Sequence, residues 1–175
     1  PLNEVTGTQR RNAKAINFGL IYGKTSYGLA RDLGISEKEA GTYIDTYFAR
    51  YPVVKSFLEQ CKASARAKGY AETSSGRRIP VIGIHSDNYG ERSKALRMAC
   101  NYPMQGTAAD IIKKAMIDTD KALRETGLSV KMIMQVHDEL IFETTKADMH
   151  EAVEVIRNAM QDAFSLKVPL TVDVE

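Results

Sequence analysis

Arg10, Lys14, Phe18 and Tyr22 stand four residues apart. On a helix each step of four drifts by about 40°, so these side chains share one face over roughly 18 Å. Two cations followed by two aromatics suit a nucleotide. Arg10 would meet phosphates as a planar fork and Lys14 as a point charge. Phe18 would pack against sugar, and Tyr22 against sugar or base. A second set, Arg97, Asn101 and Gln105, repeats the spacing of four. All three side chains can donate to the N3 and O2 acceptors that every base pair presents in the minor groove. Such contacts read shape without sequence. A third set lies in Gln135-Val136-His137-Asp138-Glu139-Leu140, with two carboxylates at a tight turn between apolar strands. Buried strands rarely end in adjacent acids, because like charges raise each other's pKa. A divalent cation relieves that repulsion, and Mg²⁺ is typically held by one or two carboxylates together with substrate phosphates. Each pattern also has a plainer reading: an aromatic stripe packed in a core, polar helix residues facing water, or a solvated turn.

The elements that must position these residues follow from period and punctuation. Thr8 to about Tyr22 reads as a helix stopped by Gly23. A short helix follows near Tyr27–Leu33. Ser36-Glu37-Lys38-Glu39 is a capping-box pattern opening a helix to about Arg50. Pro52 suits the first turn of a helix ending near Gly69. Residues 70–84 read as extended and turn-rich, with Gly76 at a bend. Glu91–Asn101 is helical, Pro103 is expected to break or kink the chain, and Met104–Thr126 is a long helix closed by Gly127. A hairpin follows, with Val130, Met132, Met134 and Val136 alternating against Lys131, Ile133 and Gln135, and Leu140–Glu143 as its second strand. Residues 147–163 form an amphipathic helix, and a last strand starts at Val168. Helices first, then hairpin, helix and strand make an α+β fold with an antiparallel sheet.

The chain has 175 residues, 43% hydrophobic and 26% charged, which suits a folded domain or part of one and excludes wholesale disorder. No apolar run of about 18 residues marks a membrane span, and the first residues carry no signal-peptide pattern. Cys61 and Cys100 are far apart and form no CxxC, so they read as free thiols in a reducing compartment without a zinc site. Residues 1–100 hold 16 Lys and Arg against 9 Asp and Glu, whereas residues 101–175 hold 8 against 13. No acid occurs from Val5 to Arg31. A basic half suggests a polyanionic partner, an acidic half could hold metal ions, and two solvated faces of unequal charge would look the same. The absence of an initial methionine and the abrupt final strand make both ends read as cut from a longer protein.

The run Arg10-Arg11-Asn12-Ala13-Lys14-Ala15-Ile16-Asn17-Phe18-Gly19-Leu20-Ile21-Tyr22-Gly23 closely resembles the fingers-helix motif of family A DNA polymerases, the bacterial DNA polymerase I-like group. Asn101-Tyr102-Pro103-Met104-Gln105-Gly106-Thr107-Ala108-Ala109-Asp110 resembles a palm motif of that family, and the Asp138-Glu139 turn matches its metal-binding palm motif residue for residue. The three motifs occur in the family's order over nearly the whole chain. The resemblance implies that Arg10 and Lys14 bind the incoming triphosphate, with Lys14 also the general acid for pyrophosphate. Phe18 would face the deoxyribose and Tyr22 stand beside the nascent base pair. Family members with Phe at this position reject dideoxynucleotides strongly, and those with Tyr do not.

Arg97, Asn101 and Gln105 would track the primer-terminal minor groove. Thr73, Gly76, Arg77, Arg78, Ser86 and Asn88 would belong to a loop near duplex DNA. Asp138 would ligate the catalytic metals, Glu139 would support the metal site, and Gln135 and His137 would lie close to the primer strand. The implied cofactor is Mg²⁺, two ions in the complete enzyme, and the implied partners are a DNA primer-template and a dNTP, with no membrane and no oligomer. Residues 1–70 would be fingers and 71–175 a palm portion. The family's other metal-binding Asp falls upstream of residue 1, so the isolated chain is expected to extend no primer. A non-catalytic nucleic-acid-binding module and a metal-dependent hydrolase are the competing readings. The chain departs from the family pattern at Ile79 and Pro80, where a third basic residue and a later proline are usual, and at Leu96, where the family has an acid.

Overall fold

The computed structural model describes residues 4–175. The chain divides into two compact units, Pro1–Gly106 and Thr107–Glu175. In the first, the helix boundaries follow the capping chemistry. Helix α1 spans Gly7–Ile21 and opens on Thr6, whose hydroxyl accepts from the Gln9 N–H while the Gln9 side chain accepts from the Thr6 N–H. Helix α2, Ser26–Leu33, is capped by Thr25 and ends at Gly34 in the left-handed conformation. Helix α3, Glu37–Arg50, carries the expected capping box. The Ser36 hydroxyl, and then its backbone N–H, hold the Glu39 carboxyl below the usual carboxylate range. Helix α4, Pro52–Lys68, starts on its proline and ends at Gly69.

Leu20 of α1 is buried with Leu29 and Ala30 of α2 and Ala40 of α3, and Ile16, Ile44, Tyr47 and Phe48 pack around them. Burying a leucine of this kind contributes about 1.5–3 kcal/mol. That burial fixes which side of α1 faces inward. A second cluster joins Ala65 of α4 to Ala71, Val81, Ile84, Ala95 and Ala99. Ala71 lies on strand β1 (Tyr70–Glu72), which pairs with β2 (Arg78–Pro80) so that Ala71 faces Ile79; Val81 and Ile84 follow β2, and Ala95 and Ala99 belong to helix α5, Tyr89–Thr126. Pro103 does not break α5, contrary to the expected interruption. A proline removes one backbone bond at a cost of about 3 kcal/mol. Ala95 and Ala99, packed in the cluster, anchor the turns before it.

Just after that proline the hairpin packs tightly on α5. A Cβ at Gly106 would come 2.6 Å from Thr73 Cγ2 and 2.8 Å from Ile79 Cδ1. Arg77 Nη2 also donates to the Gly106 carbonyl at 3.0 Å. Gly106→Ala gains about 1 kcal/mol in helix propensity but must push the buried Thr73 aside, which costs about 1–3 kcal/mol. The expected result is a melting temperature lower by a few degrees. Gly41→Ala on α3, where a Cβ meets nothing within 4 Å, should raise it. Thermal denaturation of the two variants side by side checks the opposite signs.

In the second unit, strand β3 (Val130–Val136) pairs antiparallel with β4 (Glu139–Thr144), followed by helix α6 (Met149–Gln161). Asp148 accepts from the Ser129 N–H at 3.2 Å and the Thr145 hydroxyl at 2.9 Å, which ties the base of the hairpin to the start of α6. Two expectations fail here. The hairpin strands are not buried: Ile133, Met134, Val136 and Ile141 are exposed. A two-stranded ribbon has two faces and two edges, and among the described residues nothing covers all of them. Residues 168–175 form no strand, because no partner ladder reaches them. The α+β class holds, as helices with two separate two-stranded antiparallel sheets. No described helix is long and apolar enough to cross a membrane.

Candidate functional site

With Leu20 and Gly19 buried, the opposite side of α1 faces solvent. Arg10, Lys14 and Phe18 are exposed there, Phe18 by 50%, and Tyr22 is half-buried at the helix end. The Phe18 and Tyr22 rings stack at 6.2 Å between centroids, 29° from parallel. The stripe is therefore not the aromatic edge of a core. Among the described residues Arg10, Arg11 and Lys14 have no carboxylate partner, whereas Lys24 pairs with Asp32, Lys62 with Glu59 and Lys114 with Asp118. Arg10, Arg11 and Lys14 all lie in the acid-free run from Val5 to Arg31. Lys24 has another task that its sequence position did not announce. Its stem lies against Gly19 and Gly28, where a Cβ would stand 3.2 Å from Lys24 Cδ and 3.1 Å from Lys24 Cγ. Its hydrogen bond to Asp32 joins the α1–α2 turn to the end of α2 and lowers the Asp32 pKa.

The second set lies on α5 in the same unit. Arg97 is half-buried and its Nη1 donates to Ser93 Oγ at 3.0 Å. Its side chain lies against Gly23, the residue after Tyr22 (φ 73°), where a Cβ would stand 3.3 Å from Arg97 Cγ. The end of the α1 stripe and the first member of the α5 set are thus brought together. Asn101 is half-buried and its Oδ1 is buried without a hydrogen-bond partner. Such an orphaned acceptor costs about 1–3 kcal/mol. Gln105 is exposed.

The candidate loop residues hold the fold as well. Thr73 Oγ1 accepts from the Arg77 N–H, and Gly76 turns at φ 84°. Arg78 sits 4.9 Å over the Tyr70 ring and faces Glu72 at 3.7 Å. Ser86 and Asn88 cap α5: Asn88 Oδ1 accepts from the Gly90 and Glu91 N–H groups, and the Ser86 hydroxyl donates to Glu91.

In the second unit His137 and Asp138 are the two residues of the hairpin turn, since Val136 pairs with Glu139. His137 has φ 54°, the positive-φ non-glycine among the described residues. A strained backbone of this kind costs on the order of 1–3 kcal/mol and is characteristic of functional positions. Gln135 Nε2 donates to the His137 carbonyl and braces the turn.

A bulge alters the strand faces. Met132 opposes Phe142 and Met134 opposes Ile141, so Ile133 is the extra residue. Beyond it Gln135 shares a face with Leu140 and Phe142, while Met134 and Val136 share the other with Glu139 and Ile141. The strict alternation expected from sequence is broken. Asp138 and Glu139 are exposed and carry no ion pair or hydrogen bond among the described residues, so their oxygens are free. They supply the donor class that hard cations take. They are only a partial set, because no three described His, Cys, Asp or Glu residues converge as a metal site. Burial raises both thiol pKa values, at Cys61 and Cys100, which leaves them poor nucleophiles.

Comparison with known proteins gives concordant results. The sequence model of DNA polymerase family A matches residues 1–175. DNA polymerase I of Pseudomonas aeruginosa is 51% identical over 173 residues, 99% of this chain and 19% of that protein. DNA polymerase I of Streptococcus pneumoniae is 47% identical over 171 residues, 98% of this chain and 20% of that protein. The polymerase domain of Pol1 from M. smegmatis, solved in complex with DNA primer-template and dNTP, superposes with a TM-score of 0.92 at 43% identity, over 97% of this chain and 30% of that one. The chain spans about one fifth of the length of the curated relatives it matches.

Proposed function

Because the chain belongs to DNA polymerase family A, we propose that it forms the nucleotide-binding fingers and part of the metal-binding palm of an enzyme that performs template-directed DNA synthesis. Residues 1–70 would be fingers and 71–175 palm. The observation that carries this is the α1 stripe: two cations without a carboxylate partner among the described residues and two stacked aromatics, on the solvent side of a helix whose other side is core. The DNA primer-template and dNTP held by the M. smegmatis relative support the same partners here.

Family A DNA polymerases use divalent metal ions, and the free carboxylates of Asp138 and Glu139 suit Mg²⁺. When bound, two Mg²⁺ ions would supply activation of the primer 3′-hydroxyl and neutralisation of phosphate charge. Asp138 would be the ligand, with Glu139 supporting it. The rest of the chemistry belongs to the chain's own groups. Arg10 and Lys14 would hold the triphosphate and offset charge as the α–β phosphate bond breaks. Lys14 would give a proton to the departing pyrophosphate. Phe18 would cover the sugar and Tyr22 the nascent base pair. Arg97, Asn101 and Gln105 would contact the minor groove, with Gln135 and His137 close to the primer strand and Arg77 and Arg78 near duplex DNA.

Primer extension by the full-length parent tests the reading, and Phe18 makes it specific. A Tyr hydroxyl can make a hydrogen bond that replaces the one lost with a missing 3′-hydroxyl, and Phe cannot. A lost bond to a buried partner costs about 1–3 kcal/mol, or roughly 10- to 100-fold in rate. The wild type should reject dideoxynucleotides, and Phe18→Tyr should relax the rejection by at least about 10-fold with normal dNTP use nearly unchanged. Competition of ddNTP against dNTP on one template measures it. Unchanged ratios would place Phe18 away from the sugar.

A further inference from the structure

Arg97, Asn101 and Gln105 share a spacing but are not held alike. The Arg97 side chain is held by two identifiable contacts. On one side the seat is Gly23, whose missing Cβ leaves room for the Arg97 stem; a Cβ there would lie 3.3 Å from Cγ and 3.9 Å from both Cα and Cβ. On the other side it is Ser93, one turn earlier on α5, whose Oγ accepts from Arg97 Nη1 at 3.0 Å. Among the described residues no carboxylate pairs with Arg97. Leu96, next to it in sequence, cannot supply one.

The chemistry of this anchor matters. A guanidinium has five N–H donors in a fixed fork, and one bond to a hydroxyl leaves four. A carboxylate in the same place would orient the fork and also cancel its charge. A neutral acceptor orients it with the charge intact, which suits a side chain that must meet a polyanion. The seat also joins Arg97 to the loop directly after Tyr22, so the guanidinium is placed relative to the end of the α1 stripe.

We propose that Ser93 is a positioning residue for the reaction, holding the Arg97 guanidinium toward the minor groove of the primer-template. Ser93 touches no substrate in this account and acts through Arg97. The inference rests on Arg97 being a DNA contact, as proposed above.

The test is single-nucleotide incorporation by the full-length parent on a fixed primer-template, with Ser93→Ala, Ser93→Thr, Arg97→Ala and the Ser93→Ala/Arg97→Ala double variant. Melting temperature is measured alongside. Losing one part-buried hydrogen bond predicts a fall in kcat/KM of about 2- to 10-fold for Ser93→Ala. Ser93→Thr keeps the hydroxyl and should restore the wild-type value. In the Arg97→Ala background Ser93→Ala should have no further effect, and the melting temperatures of Ser93→Ala and wild type should agree. Wild-type kinetics in Ser93→Ala together with a slow Arg97→Ala overturns the positioning role alone. Wild-type kinetics in Arg97→Ala overturns the DNA-contact reading and the proposal with it. A Ser93→Ala defect that persists undiminished without Arg97, or that threonine fails to repair, also overturns it.

Discussion

Asp138→Asn in the full-length parent enzyme should abolish nucleotide incorporation while leaving primer-template affinity within a few-fold. Asp138 sits at the exposed tip of the β3–β4 hairpin, in a two-residue turn, with no ion pair to another described residue. Its charge therefore has no structural partner to lose. Asn keeps the shape and the turn preference but removes the negative charge that a hard cation requires. DNA affinity comes largely from phosphate contacts by basic residues, and these lie elsewhere in the sequence. Single-turnover incorporation and a binding titration on the same primer-template separate the two quantities. Near-normal turnover in the variant would refute the metal-ligand assignment. A parallel loss of DNA binding would instead mean that the turn itself had collapsed.

Lys14→Ala should slow the chemical step by several orders of magnitude, whereas Arg10→Ala should chiefly weaken dNTP binding. Two jobs are proposed for Lys14, charge neutralisation and proton donation, each worth on the order of 10²-fold or more. For Arg10, one turn toward the helix start, only the first is proposed. Neither residue has an ion pair among the described residues, and both are exposed, so neither substitution should lower the melting temperature appreciably. Pre-steady-state incorporation at varied dNTP concentration gives the maximal rate and the apparent affinity separately. Equal and small effects on both would show that the stripe is a structural surface.

Much of this was legible in the chain of residues. Capping signals at Ser36 and Pro52 and glycine stops at Gly23 and Gly69 set helix ends to within a residue or two, because the chemistry that ends a helix is local. The spacing of Arg10, Lys14, Phe18 and Tyr22 was enough to place them on one face, since helical periodicity is a property of a single segment. The tight turn at Asp138 was likewise readable from two apolar runs separated by polar residues.

What the sequence left open was which of two faces would be covered. The apolar side chains of β3 read equally well as buried, and their exposure depends on partners that the residues of the strand cannot name. Ile133 is apolar on either side of a sheet, so nothing in its type marks it as the bulge that moves Gln135 to the other face. The last eight residues alternate as a strand should, but a ladder needs a second strand within reach.

Only the folded first unit revealed that the α1 stripe is free of the core, because that depends on Leu20 meeting Leu29, Ala30 and Ala40 from two other helices. The same holds for the close approach of Gly106 to Thr73 and Ile79, and for the contact between Gly23 and Arg97. These pairs are separated by tens of residues, and contact between them follows from how the elements pack. The sequence by itself determined residue types, helical phase and helix ends, which are set over a few residues. Tertiary structure decided exposure, close approach and the seat of Arg97, because those depend on side chains brought together from distant parts of the chain.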